Sequence, residues 1–318
     1  MASRLLPPNQ IPTELWRSPT CELSLPPALA GAYRQVLTTR NWLQEALEER
    51  AGGAIGGEGP DATKQHFVES FAGSCARVEL VALDPLETLD QASDRMVSAC
   101  AGGRLGILDI PCGAGAAAVS LLCVMTVLRS EDRLPRQPLD VFLVGGDNSD
   151  TARNLASAVQ AELVTALEDQ GIRLHSQFVP WDVCDAQSTT ELLHAWMEHA
   201  RDCQRYLVVA ANCSGFLQRE GKFEAASPQL EQVFRWAKAR RSDVVWVEPQ
   251  TNKARFNFLP RLMRWFRRVF PGLFRILAGG EANPGLLAEA KCAHPLKPGE
   301  FRVHLSLVRF EHNEGGDR

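Results

Sequence analysis

No stretch of this 318-residue chain runs unbroken through the roughly 20 apolar residues that a helix needs to span a bilayer. Nothing near its N-terminus joins basic residues, an apolar core and a small-residue cleavage site, because prolines at 7, 8, 12, 19, 26 and 27 break up the first 27 residues. Secretion and membrane insertion are therefore not expected, and the expected compartment is cytoplasmic. The nine cysteines contain no C-x-x-C pair, and several fall in apolar runs as buried reduced thiols do, so no metal site is expected. A net charge of −4 with 23% charged residues excludes a globally basic chain, so any surface for a polyanion must be local. Asn212-Cys213-Ser214 is formally a glycosylation sequon, but in a cytoplasmic chain it reads as part of a site.

What is present is an ordinary globular composition, 45% hydrophobic, with room for one large domain or one domain plus an extension. Residues 1–27 read as an irregular proline-rich arm. Ala28 to Arg50 carries helical periodicity, the glycines between 52 and 59 mark a loop, and 62–101 is again helical with a break at Asp84-Pro85. We place a proline-rich arm and helical extension at 1–103, expected to cover the site and help select the acceptor, and the main domain at 104–318. From 105 onward strands and helices alternate: strands at 105–110, 139–144, 173–179, 205–211 and 243–247, with helices at 116–128, 149–169, 187–201 and 228–239. That alternation predicts an α/β fold with a parallel sheet covered by helices. Residues 301–310 alternate apolar with polar instead, which suits an antiparallel edge strand.

In an open parallel sheet ligands bind beyond the carboxyl ends of the strands, so the residues that end each strand are diagnostic. The first strand ends in Asp109 and opens into Pro111-Cys112-Gly113-Ala114-Gly115, where glycine lets the backbone approach a ligand and the next helix presents its N-terminus. The second ends at Gly146-Asp147-Asn148, the third at Trp181-Asp182-Val183, and the fourth at Asn212. A carboxylate suits a ribose because it accepts two hydroxyl hydrogen bonds; Asp147 is also placed to cap the helix after it, a role Asn148 or Ser149 could fill.

In this order of motifs, over about residues 105–311, the sequence resembles the class I S-adenosylmethionine-dependent methyltransferases. The resemblance implies a Rossmann-like, mostly parallel sheet with helices on both faces and an antiparallel last strand, and S-adenosylmethionine as cofactor. It assigns Asp109, Pro111, Cys112, Gly113 and Gly115 to the first motif, with Pro111 where a glycine usually stands. It gives Asp147 and Asn148 to the ribose, Asp182 and Val183 to the adenine, and Asn212 to the position facing the methyl donor, the candidate catalytic residue. A nicotinamide dehydrogenase fits less well: the third glycine of G-x-G-x-x-G is replaced by Ala118, and Asp147 follows Asp109 by 38 residues. Val245-Trp246-Val247-Glu248-Pro249 and Cys292-Ala293-His294-Pro295-Leu296 also resemble, more faintly, the ribosomal small-subunit methyltransferase-like family, without that family's cysteine cluster.

Methyl transfer from a sulfonium is an in-line displacement that needs positioning more than a base, so the catalytic group can be inconspicuous. Cys213 reads as a buried thiol in preference to a nucleophile, and Glu248-Pro249 as a possible wall of the site. The segment from Lys253 to Arg275 is basic and free of acids, with Arg255, Arg261, Arg264, Arg267 and Arg268 interleaved with aromatic residues. It reads either as a core-packed helix with a solvated basic face or as a surface gripping RNA, and less readily as a peripheral membrane contact. RNA is the expected acceptor. The alternatives are a small-molecule or lipid acceptor and a methyltransferase-like binding or assembly protein without turnover.

Overall fold

A computed structural model of the chain describes residues 4–48, 59–89, 92–249, 264, 274–277 and 286–312. The glycine-rich stretch falls outside the described residues except for Gly59. Of the basic segment, Arg255, Arg261, Arg267 and Arg268 also lie outside them, and Arg264 is exposed.

The N-terminal arm is less irregular than its prolines suggest. A short antiparallel pair, β1 (Trp16–Arg17) and β2 (Glu22–Leu23), is followed by α1 (Pro27–Thr39), α2 (Leu43–Leu47), α3 (Pro60–Leu83) and α4 (Ala92–Ala99). The break after α3 falls at Asp84, whose backbone is left-handed and whose carboxylate accepts from the amides of Thr88 and Leu89 at 2.9 and 3.3 Å. These bonds satisfy the turn that Pro85 enforces.

The alternating region gives β3 (Gly103–Asp109), α5 (Ala116–Ser130), β4 (Leu139–Asp147), α6 (Asp150–Glu168), β5 (Ile172–Pro180), α7 (Ala186–His199) and β6 (Arg205–Ala211). It continues through α8 (Ser214–Arg219), α9 (Phe223–Ala239), β7 (Asp243–Pro249), β8 (Phe274–Leu277), β9 (Leu286–Ala293) and β10 (Glu300–His312). The α9 helix begins five residues before the expected start and carries Pro228 inside it; the Ser227 hydroxyl donates back to the Phe223 carbonyl at 2.7 Å in the turn before the proline.

Strand order is β1-β2-β9-β10-β7-β6-β3-β4-β5, with β8 also paired to β10. Neighbours from β7 to β5 are parallel, and β10 is antiparallel to both β7 and β9. The last strand is thus reversed as expected, but the sheet continues past it through β9 and the β2–β1 pair. The fold is Rossmann-like and mostly parallel. Sequence order reverses between β3 and β6, which puts the crevice of an open α/β sheet above Asp109 and Asn212.

Helices cover both faces. One apolar cluster joins α1, α3, α5 and α6 to the sheet, and it includes residues of the arm such as Leu15 and Leu23. The other packs α7, α8 and α9 around Trp196, Phe234 and Trp246. The α5 helix is buried along nearly its whole length because α3 lies across it, and the Ser120 hydroxyl donates to the Cys75 carbonyl at 2.9 Å between the two. Among the described residues no helix is long and apolar enough to cross a membrane.

Glu79 on α3 is wholly buried, and neither carboxylate oxygen finds a hydrogen-bond partner. Burial raises its pKa well above the usual carboxylate range. The folded state therefore holds a proton that the unfolded chain releases near pH 4, so this group's contribution declines as pH rises toward the folded pKa. Glu79→Met is expected to raise stability at pH 8 by about 1–3 kcal/mol and to flatten the pH dependence between 5 and 8, read from denaturant midpoints. A destabilised variant with unchanged pH dependence would contradict this.

Candidate functional site

The carboxyl ends of β3, β4, β5 and β6 meet around one acidic side chain. Asp147 Oδ2 accepts from the Gly113 amide at 2.9 Å, and Oδ1 accepts from the Ser149 amide at 2.8 Å. Helix α6 is capped by Ser149, whose hydroxyl accepts from the Ala152 amide at 3.2 Å, so Asp147 is not needed as the cap. Each carboxylate oxygen keeps a further acceptor direction free. Burial raises the Asp147 pKa, while the two amides and Arg153 oppose the shift.

The first-motif turn is built around this carboxylate. The Ile110–Pro111 peptide is cis, and Pro111 lines the groove where a glycine was expected. The Cys112 amide donates to the Gly146 carbonyl at 2.9 Å, and the Gly115 amide donates to the Cys112 carbonyl at 2.8 Å. Gly113 has φ +52°, and a side chain there would project into open space, so the backbone forms a cradle. Gly115 (φ +77°) lines neither cavity. A Cβ there would stand 3.2 Å from that of Ala156, so it is the close approach of α6 that requires glycine. Asp109 lies beneath the turn, Oδ2 accepting from the Ala118 amide at 3.4 Å and Oδ1 without a partner. Burial, and then the charge of Asp147, raise its pKa well above the usual range.

Two cavities meet at Pro111, Asp147 and Ser149. The larger, about 400 Å³, is bounded by Asn148, Trp181, Asp182, Val183, Cys213 and Phe216. Asp182 is held by an Asx turn, with Oδ1 accepting from the Cys184 amide at 2.9 Å and its own amide donating to Ser188 Oγ at 2.9 Å. Lys222 stands 4.9 Å from the ring centre of Phe216 at the rim. The smaller, about 170 Å³, lies under α3 and is bounded by Asp109, Cys112, Gly113 and Asn212 below and by Thr63, His66, Phe71 and Ser74 above. Asn212 has a left-handed backbone (φ +58°); its Nδ2 donates to Ser74 Oγ at 3.2 Å, and its Oδ1 is buried without a partner.

The helical extension was expected to cover the site, but none of the α3 residues that form this wall was singled out for that role. The signal for α3 is a polar stripe, Thr63, His66, Ser70, Ser74 and Arg77, at spacings of 3, 4, 4 and 3 along a helix that is deeply buried from Phe67 onward. Glu248 departs from expectation the other way: it lines neither cavity, and Oε1 accepts from the Ser214 amide at 2.8 Å and Trp246 Nε1 at 2.7 Å. Cys213 is buried and its pKa is raised well above the thiol range, chiefly by burial, so it is no ready nucleophile. Cys292 is buried in β9, and His294 Nδ1 accepts from the Leu296 amide at 3.2 Å within the following turn. Among the described residues no group of three or more His, Cys, Asp or Glu side chains is arranged to hold a metal.

No protein-family model and no curated protein matches the sequence. Solved structures match in fold. One, of a Listeria monocytogenes protein named for the class I S-adenosylmethionine-dependent methyltransferases, is 11% identical over 90% of this chain and 69% of its own, with a TM-score of 0.41. Another, concerned with conversion of a disulfide bond into a thioacetal group in echinomycin biosynthesis, is 15% identical over 70% and 81%, with a TM-score of 0.34. A fibrillarin/Nop5p complex is 8% identical over 66% and 72%, with a TM-score of 0.31. These likenesses concern the course of the backbone. What the chain binds has to be argued from its own strand ends.

The two bonds to Glu248 fix the start of α8. Glu248→Gln keeps the accepting oxygen and is expected to change stability little, whereas Glu248→Leu strands two donors and is expected to cost about 2 kcal/mol or more. Thermal melts of the pair check this, and equal melting temperatures would contradict it.

Proposed function

We propose that the chain is an S-adenosylmethionine-dependent methyltransferase whose acceptor is RNA. The observation that carries the cofactor reading is the groove itself. It bends around Asp147, a half-buried carboxylate with free acceptor directions, and passes over a glycine cradle at Gly113 with two unpartnered acceptor atoms, Asp109 Oδ1 and Asn212 Oδ1, along it. Those groups suit a ligand with paired hydroxyls and further hydrogen-bond donors.

In this reading Asp147 holds the ribose hydroxyls, and Asn148, Asp182, Val183 and Phe216 enclose the adenine in the larger cavity. The smaller cavity takes the rest of the molecule. The bound cofactor supplies an activated methyl group on a sulfonium. The protein's own part is to hold donor and acceptor in line and to keep water out, which relieves the reaction of orientational entropy. Ser74 fixes the amide of Asn212, and the left-handed Asn212 backbone turns the chain at the end of β6 beside the cavity. Strain of this kind is retained where surrounding structure imposes it.

Support for RNA is the sequence that follows β7. The strand ends at Pro249 on the site's edge of the sheet, and the basic, aromatic-interleaved segment begins four residues later. Arginine on phosphate and aromatic rings on bases are the two contacts single-stranded RNA offers.

Calorimetry with S-adenosylhomocysteine is expected to give micromolar binding that weakens about 100-fold or more in Asp147→Ala, since two hydrogen bonds to a charged acceptor are lost. No binding by folded wild type would overturn the cofactor reading. RNA binding is expected to weaken with salt, and the triple change of Arg264, Arg267 and Arg268 to Ala should lower the log–log slope by about 2. Binding to anionic vesicles with none to RNA would overturn the acceptor.

A further inference from the structure

Among the described residues, His66 is the one basic side chain lining either face of the groove's inner cavity, and the reading above does not use it. It stands on the polar stripe of α3 between two anchored neighbours. Thr63 Oγ1 lies 3.0 Å from Ser149 Oγ, and Ser74 Oγ accepts from Asn212 and from Arg77, each at 3.2 Å. The helix is therefore tied to α6 on one side of the ring and to the end of β6 on the other. The ring is half-buried, lines the cavity, and makes no hydrogen bond among the described residues.

The division of the groove says what reaches it. With the ribose at Asp147 and the adenine in the cavity of about 400 Å³, the remaining space of about 170 Å³ is left to the amino-acid end, which bears an ammonium and a carboxylate. On the floor Asn212 Oδ1, buried without a partner, offers the ammonium an acceptor that does not titrate, and Asp109 keeps its proton. On the roof only His66 can offer the carboxylate a charged donor. We propose that His66 is the partner of the cofactor's carboxylate, and that the protein takes up a proton as it binds the cofactor and so binds it more tightly as the pH falls.

The surroundings favour this sense. Burial, and then the Arg77 charge three turns along α3, push the free imidazole down to about 4, so it is neutral near pH 7. The other ionisable groups on the cavity are Asp147 from β4, Asp109 from β3 and Cys112 from the turn between β3 and α5. What α5, α6 and β6 present to the cavity is Ala116, Ala117, Ala152, Ala211 and Asn212, none of them ionisable. A carboxylate brought against the ring reverses the balance, because an opposite charge favours the protonated form. The free ring is neutral and the bound ring protonated over the interval between the two pKa values. In that interval each unit of falling pH strengthens binding by up to tenfold. If binding restores the imidazole to its ordinary value near 6.5, affinity gains about tenfold between pH 7.5 and 5.5.

This inference rests on the cofactor reading, and the test separates the two. The full chain is titrated calorimetrically with S-adenosylhomocysteine and with 5′-methylthioadenosine, which lacks the amino-acid end, at pH 5.5 to 8 in buffers of different ionisation enthalpy. Expected for wild type is net proton uptake with S-adenosylhomocysteine, an affinity gain of about tenfold on acidification, and neither effect with 5′-methylthioadenosine. His66→Gln and His66→Asn should bind S-adenosylhomocysteine without that pH dependence, and 5′-methylthioadenosine as wild type does. Proton uptake by wild type needs no variant, so a variant that misfolds leaves the test standing. Binding of both ligands without proton uptake, or a pH dependence unchanged in a folded His66 variant, would overturn the role of His66 and leave the cofactor reading intact. Failure of both ligands to bind wild type would overturn the two together.

Discussion

The clasp of the Asp147 carboxylate on the Gly113 and Ser149 amides is the interaction on which the rest of the site depends. One side chain at the end of β4 fixes the turn leaving β3 and the N-cap of α6 at once. Half-buried at the floor of the groove, it is screened less than a surface carboxylate, and its charge-assisted hydrogen bonds are correspondingly stronger. The clasp brings two cavities together at a single carboxylate. Removing it would cost the protein the geometry of three elements, and the ligand its anchor.

Around that clasp the polar groups divide into those that hold the scaffold and those that remain available. Glu248 Oε1, Asp182 Oδ1 and Ser149 Oγ accept from backbone or ring N–H groups nearby. Asn212 and Asp109 each keep one buried oxygen without a partner on the groove. Such an acceptor on a groove is open to a ligand's donors, whereas those of Glu79 and Glu248 Oε2 lie off both cavities. The α3 helix closes the groove from above, tied by hydroxyl bonds through Thr63 and Ser74 instead of apolar packing alone.

The alternating core was legible because β3, β4, β6 and β7 carry apolar runs that end in a polar residue, and because parallel strands need helical crossovers; the more polar β5 was placed by that alternation. Asp147 stood out for the same reason: an acid after Gly145-Gly146 at the end of an apolar strand has few structural uses. The α3 contribution was hidden. Among the other polar residues of the first half of α3, Lys64, Gln65 and Glu69, nothing marks out Thr63 and His66, and the nearness of Thr63 and Ser74 to Ser149 and Asn212 is a tertiary fact. Strand β9 escaped notice because Ala288, Ala290 and Cys292 are small inward residues with a weak period-two signal. The β10 pattern suggested an edge, yet β9 pairs along it. Pro228 was read as the first turn of α9, a place proline favours, whereas the helix starts at Phe223 and runs through it.

The most direct test of the account is a crystal structure of the chain grown with S-adenosylhomocysteine. The account predicts the ribose hydroxyls on Asp147, the adenine between Val183 and Phe216, and the amino-acid end under α3. A ligand lying elsewhere on the fold, with the groove around Asp147 empty, would contradict it.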